Sequence, residues 1–172
     1  MSAPETIATA FQRTVKALTL RPSLGHGTGT SISRIRNGLT CEIEEGPWKL
    51  VSDMPTQVGG NAAGPTPGVY GRAALGSCLA IGYMMYAAKL GVPISSMQVE
   101  VQADYDDGPL FGVGDMPPGY LEVRYTVTIE SSAPEADIVR VVDEGDLHSP
   151  YLDIFKRSQK CVRDVKIIRD KL

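Results

Sequence analysis

The order of the predicted elements indicates an α+β fold. Along the chain, the hydrophobic pattern predicts one helix, three strands, a long helix, two strands, two helices and a last strand. Strands and helices that segregate in this way, instead of alternating one by one, are typical of α+β proteins. With 172 residues and no internal repeat, the chain has the size of one domain or of one protomer of an intertwined dimer.

Composition and charge exclude several classes of protein. Hydrophobic residues make up 42% of the chain and charged residues 22%, which is ordinary for a globular protein and argues against disorder. The 17 basic and 20 acidic side chains give a net charge of −3. We therefore expect no nucleic-acid partner, because binding to phosphate groups needs a basic face.

Cysteine and histidine are too few for a metal centre or a disulfide scaffold. Three scattered cysteines, two histidines and no Cys-x-x-Cys pair predict no structural zinc, and we expect no cofactor. The apolar, uncharged run of 16 residues between Arg72 and Lys89 is too short and mixed to predict a membrane span. No secretory signal is recognisable, so we expect a reducing, cytoplasmic location.

The N-terminal third predicts a helix followed by three strands. Ser2-Ala3-Pro4-Glu5 is a capping-box pattern, and apolar residues then recur at helical spacing. Asn37-Gly38 predicts a two-residue hairpin turn within residues 31–44. Cys41 falls on the apolar face of the second strand, where we expect a buried structural cysteine. A third strand is predicted over Trp48–Ser52.

A long helix over Pro67–Leu90 is the most informative element of the sequence. Thr66 can cap it, Pro67 suits its first turn, and Gly91 can end it. Its centre is apolar on every side, so the helix must be buried all round. One small protomer cannot easily enclose such a helix, which predicts a homodimer.

The C-terminal half predicts two strands, two helices and a final strand. Clean alternation of apolar and polar residues marks strands over 97–105 and 120–130. The capping-box pattern beginning at Ser132 opens the first helix. Ser149 before Pro150 is expected to cap a second, short helix that extends to about Arg157. A last strand is predicted over 161–168, with Cys161 as a structural residue.

Cys78 is the candidate reactive group of the long helix. A thiolate is the nucleophile towards peroxides, but Cys78 lies about three turns from the helix N-terminus, where the helix dipole no longer helps. A cation must come from elsewhere, and Arg34, Arg36 and Arg72 are the candidates. A buried structural cysteine is the alternative interpretation at this point.

Two glycine-rich segments suggest an anion-binding alternative. Residues 25–29, GHGTG, lack the lysine of a phosphate-binding loop. Residues 59–67, GGNAAGPTP, precede the long helix and suit an anion physically, but no motif supports a nucleotide or phosphate site there.

Residues 59–104 resemble the central region of the OsmC/Ohr family, the osmotically inducible protein C and organic hydroperoxide resistance proteins. The shared features are a glycine-rich approach, a Pro-x-Pro helix start, an Ala-Leu-Gly-x-Cys core and an alternating strand after Gly-x-Pro. The resemblance implies an intertwined α+β homodimer with two buried cysteine helices wrapped by antiparallel sheets. It also implies an OsmC-like domain over 26–172, with residues 1–25 as an N-terminal helical extension.

Active members of that family are thiol-dependent peroxidases that use a peroxidatic cysteine, a resolving cysteine, an arginine and a glutamate. The resemblance places the peroxidatic cysteine at Cys78 and the arginine at Arg36, with Arg34 as a close alternative. Ser149 stands at the resolving position, and Gly68 or Val69 stands where the glutamate is expected.

The sequence thus predicts an OsmC-like peroxidase of organic hydroperoxides that acts in the oxidative stress response with Cys78 and Arg36 and is regenerated by an external thiol. The alternative is a catalytically impaired member that binds a small apolar ligand at the dimer interface. Small and flexible residues of the long helix would shape that pocket: Gly71, Gly82, Met84 and Met85. His148 is expected on a surface loop, with a proton donor as the smaller possibility.

Overall fold

The computed structural model describes residues 2–169 and has an α+β architecture. Its helices are α1 Ala3–Leu20, α2 Pro67–Leu90, α3 Glu135–Leu147 and α4 Pro150–Lys156, and its strands are β1 Ile32–Ile35, β2 Cys41–Glu45, β3 Trp48–Ser52, β4 Ser96–Asp104 and β5 Glu122–Glu130. Strands β1, β2 and β3 form one antiparallel sheet, and β4 and β5 form another.

Helix α2 has the bounds that its local signals predict. It begins at Pro67, directly after Thr66, and ends before Gly91, which has φ 71°. One face forms the core of the chain through residues spaced at three or four positions: Leu75, Leu79, Tyr83, Tyr86 and Ala87. This face packs against the inward row of the β4–β5 sheet and against Val141 of α3 and Leu152 of α4. By length and composition α2 could cross a membrane, yet in this chain it is the core helix.

The predicted hairpin turn and the predicted start of α3 are both wrong. Ile35 pairs with Cys41, so five residues connect β1 to β2 instead of a two-residue turn, and Gly38 but not Asn37 has a positive φ. Helix α3 starts at Glu135, and its N-cap is Pro134 instead of the predicted Ser132. The local hydrogen bonds are made by the Ser131 hydroxyl, which donates to Pro93 O and accepts from Ala133 N.

The strand predicted over 161–168 is absent from the described part of the chain. Residues 157–169 have no regular secondary structure, and the apolar residues Val162, Ile167 and Ile168 are almost fully exposed. A strand is stable only beside another strand that satisfies its backbone hydrogen bonds. Within a single chain this segment has no such neighbour.

Two apolar surfaces of the chain are uncovered. Every fourth residue of α2 on the side opposite the core is exposed: Val69, Ala73, Ser77, Ile81 and Met85. The β1–β3 sheet also has an apolar face, formed by alternate residues of its three strands, and Ile35, Trp48 and Leu50 on that face are exposed.

Close packing at Gly145 gives a stability prediction. A Cβ atom there would lie 2.3 Å from Cδ1 of Tyr83, and the Tyr83 ring is fully buried and held by its hydrogen bond to Asp146. Gly145→Ala should therefore lower the free energy of unfolding by about 1–3 kcal/mol, measured by chemical denaturation. Gly27→Ala is the matched control, because nothing lies within 4 Å of that position. An unchanged denaturation midpoint for Gly145→Ala would contradict the described packing.

Candidate active site around Cys78

Cys78 meets Ser149 at the junction of α3 and α4. Cys78 lies in the middle of α2 and is half-buried, and its Sγ is 3.5 Å from Ser149 Oγ. Ser149 is only 6% exposed. Its Oγ also accepts a hydrogen bond from Leu152 N at 3.2 Å, which confirms that Ser149 caps α4. The contact with Cys78 joins residues 71 positions apart, and only the resemblance to the OsmC/Ohr family, which puts Ser149 at the resolving position, pointed to it.

Asp146 fixes this junction to the rest of the fold. Its two carboxylate oxygens accept hydrogen bonds from Tyr83 Oη at 2.5 Å and from Tyr125 Oη at 2.7 Å. Burial, reinforced by the bond to Asp146, raises the pKa of Tyr83 and raises the pKa of Tyr125 to about 12. Both hydroxyls therefore stay protonated and keep donating at neutral pH. No sequence pattern predicted this cluster, although buried tyrosine hydroxyls generally require a partner.

His148 lies next to Ser149 but is directed towards other groups. Its ring stacks on Tyr86 with the ring centres 5.2 Å apart. Its Nδ1 donates to the backbone oxygen of Glu144 at 2.8 Å. The residue is exposed, which agrees with the expected surface position and gives no support to a role as proton donor.

The candidate arginines are not brought to Cys78 within this chain. Arg34 pairs with Glu44 at 2.9 Å and Arg36 with Glu42 at 3.4 Å. The bond from Arg34 holds the pKa of Glu44 below its usual value. These ion pairs lie on the charged face of the β1–β3 sheet, opposite the apolar face. Within residues 2–169 no arginine donates a hydrogen bond to Cys78, so the assignment of Arg36 stays a prediction.

The two other cysteines lie in different surroundings. Cys41 lies in β2 as predicted, but it is half-buried instead of buried, whereas Cys161 is exposed in the segment that follows α4. The prediction that Cys161 is a structural residue of a last strand is therefore wrong for residues 2–169. All three cysteines are free thiols.

A comparison with known protein families decides the relationship of this chain. The sequence profile of the OsmC-like protein family matches residues 59–162, which is more than half of the chain and includes both Cys78 and Ser149. The chain belongs to the OsmC family. No curated protein sequence matches it.

Solved structures with OsmC-like folds are similar to this chain at low sequence identity. An OsmC-like protein from Mycoplasma pneumoniae has a TM-score of 0.65 at 15% identity, over 77% of this chain and 89% of that one. An organic hydroperoxide resistance protein OsmC from Legionella pneumophila has a TM-score of 0.57 at 14% identity, over 76% and 90%. A third, an organic hydroperoxide resistance protein from Elizabethkingia anophelis with bound thiocyanate, has a TM-score of 0.57 at 13% identity, over 77% and 91%.

The start of α2 shows what occupies the position expected for a glutamate in this OsmC-family chain. A Cβ atom at Gly68 would lie 3.4 Å from Arg72 Nη1 and 3.6 Å from Tyr120 Oη. Tyr120 Oη donates instead to Gly68 O at 2.9 Å. A side chain at position 68 would therefore meet Arg72, but the glycine offers no carboxylate to pair with it.

Asp53 closes the glycine-rich loop that leads into α2. The carboxylate is 2% exposed and accepts hydrogen bonds from one hydroxyl and three backbone amides: Thr40 Oγ1 at 2.8 Å, Met54 N at 2.7 Å, and Asn61 N and Ala63 N at 3.2 Å each. Between these last two amides, Ala62 has a positive φ of 52°. Because Asp53 already occupies these amides, the loop does not offer them to a phosphate.

The Asp53 network predicts a loss of stability in acid. Burial raises the pKa of Asp53, but the bonds from Thr40 and the three amides outweigh that effect and hold the pKa below its usual value. The stabilisation should be fully present above about pH 4, the pKa in the unfolded chain, and should be lost as the pH falls through the lower folded value. Denaturation between pH 6 and 2 measures it.

Asp53→Asn should flatten that acid dependence, whereas Asp115→Asn in the exposed 105–121 loop should leave it as in the wild type. An Asp53→Asn profile that still falls as steeply as the wild type would contradict the prediction.

A largely apolar cavity is lined by near neighbours of Cys78 and Ser149, but by neither of these two residues. Its volume is about 560 Å³. Eight of its lining residues are aromatic or aliphatic and two are charged: Leu75, Tyr120, Leu121, Val123, Tyr125, Leu152, Ile154 and Phe155, with Glu122 and Lys156. Leu75 lies one helical turn from Cys78 on α2, and Leu152 donates its backbone N–H to Ser149. The cavity thus has the size and polarity that suit a small, largely apolar molecule.

Proposed function

We propose that this OsmC-family chain is a thiol-dependent peroxidase that reduces organic hydroperoxides through Cys78 alone. The observation that carries the proposal is the 3.5 Å contact between Cys78 Sγ and Ser149 Oγ. It puts the residue at the expected resolving position beside the candidate nucleophile, but as a hydroxyl that cannot form a disulfide. A free cysteine with a polar neighbour and a nearby cavity is suited to attack a bound peroxide.

The proposed reaction begins with attack of the Cys78 thiolate on the terminal oxygen of R–O–O–H. The S–O bond forms as the O–O bond breaks, which leaves Cys78–SOH and an alkoxide that takes up a proton to become the alcohol. The sulfur loses two electrons and the hydroperoxide gains them. One external thiol then displaces water to give a mixed disulfide, and a second releases the Cys78 thiolate together with the oxidised thiol.

An external thiol is required because the other cysteines lie elsewhere. Cys41 belongs to β2 and Cys161 to the exposed segment after α4. A cytoplasmic location would supply the reducing thiols that this cycle consumes.

The cavity supports an organic over an inorganic peroxide. Its aromatic and aliphatic walls would bury the carbon chain of a hydroperoxide, with each methylene contributing about 0.8 kcal/mol, whereas hydrogen peroxide gains nothing there. Two of the similar solved structures are organic hydroperoxide resistance proteins, which is consistent with this substrate class.

We infer that the functional unit is a homodimer. Three surfaces lack cover in a single chain, namely the exposed row of α2 with Ile81, the apolar face of the β1–β3 sheet, and the unpaired segment 157–169 with its alternating apolar residues. Contiguous exposed apolar area of this kind marks an interaction surface. A second copy would cover the helix and sheet surfaces and offer the 157–169 segment a strand edge.

Arg36 remains our candidate for the cation that supports Cys78, and the dimer is the route by which it would arrive. The Arg36 side chain is 77% exposed, and its guanidinium pairs with Glu42 at 3.4 Å. Such exposed ion pairs contribute little, so the pair could be exchanged for a contact with the partner's Cys78.

The test is consumption of cumene hydroperoxide with dithiothreitol as reductant. The wild type should turn over the organic hydroperoxide faster than hydrogen peroxide. Cys78→Ser should abolish consumption, and Cys161→Ser should leave it unchanged. No turnover by the wild type with any dithiol, or full turnover by Cys78→Ser, would overturn the proposed function.

The cavity also favours a second candidate, a binding protein for small apolar ligands. The sequence suggested a pocket shaped by Gly71, Gly82, Met84 and Met85. The cavity in this chain is instead lined largely by residues of β5 and α4. Gly71 does not line it, but a Cβ atom at position 71 would lie 3.3 Å from Oη of Tyr120, which does. A fluorescent fatty-acid probe that binds equally to wild type and Cys78→Ser, without hydroperoxide turnover, would favour this candidate.

A further inference from the structure

We infer that Ser149 is a catalytic residue whose hydroxyl donates its hydrogen to the Cys78 sulfur and stabilises the reactive thiolate. The role of Ser149 in turnover rests on the proposed function. The hydrogen bond to Cys78 is testable without any peroxide. A serine that does no more than cap α4 is the competing explanation.

The partners of Ser149 leave its hydroxyl hydrogen available to Cys78, and an ionised Cys78, which can only accept, fixes the direction of the bond. A serine hydroxyl has one hydrogen to donate and two lone pairs that accept. Leu152 N–H donates to the oxygen at 3.2 Å, so this bond uses a lone pair and leaves the hydrogen free. Because Ser149 is 6% exposed, that hydrogen has little access to water. The acceptor in reach is Cys78 Sγ at 3.5 Å, within the range of hydrogen bonds to sulfur.

The chemical effect of this donor depends on the charge of the sulfur. A hydrogen bond to an ionised group is roughly twice as strong as one between neutral groups, so the Ser149 hydroxyl favours the thiolate over the thiol. The middle of α2 gives the sulfur no help from the helix dipole, and no arginine donates to Cys78 within residues 2–169. Ser149 is thus the hydrogen-bond donor to the Cys78 sulfur that this chain itself supplies.

The position of the donor is rigid. Asp146, three residues before Ser149, is bonded to Tyr83 and Tyr125 on two other elements. Asp146 O also accepts from the backbone N of Ser149 at 3.3 Å. The hydroxyl is therefore held beside the sulfur before any substrate arrives.

Three substitutions separate donation from capping. Ser149→Thr keeps both the cap and the hydroxyl. Ser149→Gly removes the hydroxyl but retains most of the capping preference, because glycine at an N-cap costs only a few tenths of a kcal/mol. Ser149→Ala removes both. If the serine only caps, thermal stability should rank Thr and Gly above Ala, and the reactivity of Cys78 should be the same in all three.

The experiment measures the rate at which iodoacetamide alkylates Cys78 across pH 6–10, in a Cys41→Ser, Cys161→Ser background and without peroxide. We expect Ser149→Gly and Ser149→Ala to react about tenfold more slowly at pH 7, with profiles displaced to higher pH, and Ser149→Thr to follow the parent. Equal profiles for Gly and Thr, or faster alkylation of Gly, would overturn the inference. Hydroperoxide consumption by the parent is measured separately, so failure of the proposed function is distinguishable.

Discussion

Replacing Ile81 with aspartate should convert the proposed homodimer into a monomer or abolish folding. Ile81 belongs to the exposed row of α2 and is its most exposed large apolar residue, at 61% in the single chain. Rows of residues spaced by four form the ridges through which helices pack against one another. A carboxylate at the centre of such an apolar contact would be buried without a partner, which is strongly destabilising. On a true surface the same change would be nearly neutral.

Sedimentation at micromolar concentration distinguishes the two cases. The wild type should sediment with about twice the 18.5 kDa chain mass, and Ile81→Asp near 18.5 kDa or as aggregate. Val139→Asp is the matched control, because Val139 is also apolar, helical and 50% exposed, but lies on α3 outside the three uncovered surfaces. A dimeric, fully stable Ile81→Asp variant, or a monomeric wild type, would contradict the homodimer.

The elements that the sequence predicted well are those specified by neighbouring residues. Helix α2 was located at both ends because a first-turn proline and a left-handed glycine mark them, and Thr66 stands at the N-cap position although its side chain makes no capping hydrogen bond. Ser149 was likewise identified as an N-cap from its position before Pro150. In each case the deciding interactions span a few residues, so the local pattern contains the information.

The features that were missed depend on partners distant in the chain. The hairpin turn failed because the strand register, with Ile35 opposite Cys41, outweighs the local preference of Asn37-Gly38. The 161–168 pattern alternates like a strand, yet a strand also requires a neighbouring edge. The Cys78–Ser149 contact and the Tyr83–Asp146–Tyr125 cluster join residues many positions apart, and composition alone does not reveal which polar groups meet.

The same reasoning explains why the site was only half predictable. Cys78 was selected as the candidate nucleophile because it stands out on an apolar helix and matches the family pattern. Arg36 was placed near a tight turn that the structure does not have, and its present partner is Glu42. A contact between the arginine of one chain and the site of a second chain produces no periodic pattern or fixed spacing in the sequence.

Replacing Ser149 with cysteine should turn a protein that stops at a sulfenic acid into one that forms an internal disulfide. In the wild type, one equivalent of organic hydroperoxide should leave Cys78 as sulfenic acid, open to an added thiol and prone to overoxidation. The Ser149 oxygen already lies 3.5 Å from Cys78 Sγ. A thiol at that position needs to close only to the disulfide bond length of about 2.05 Å, and its attack on the sulfenic acid releases water.

The first step should not become faster in this variant. Gly68 still offers no carboxylate to fix an arginine, and the introduced thiol is a weaker hydrogen-bond donor than the serine hydroxyl. Loss of the serine cap should also lower the free energy of unfolding by about 1 kcal/mol. Intact-mass and peptide mass spectrometry under non-reducing conditions, in a Cys161→Ser background, identifies the disulfide, and stopped-flow consumption of cumene hydroperoxide gives the rate. A disulfide between Cys78 and Cys161 in the wild type, unmodified Cys78, or a variant without the new disulfide would each refute this mechanism.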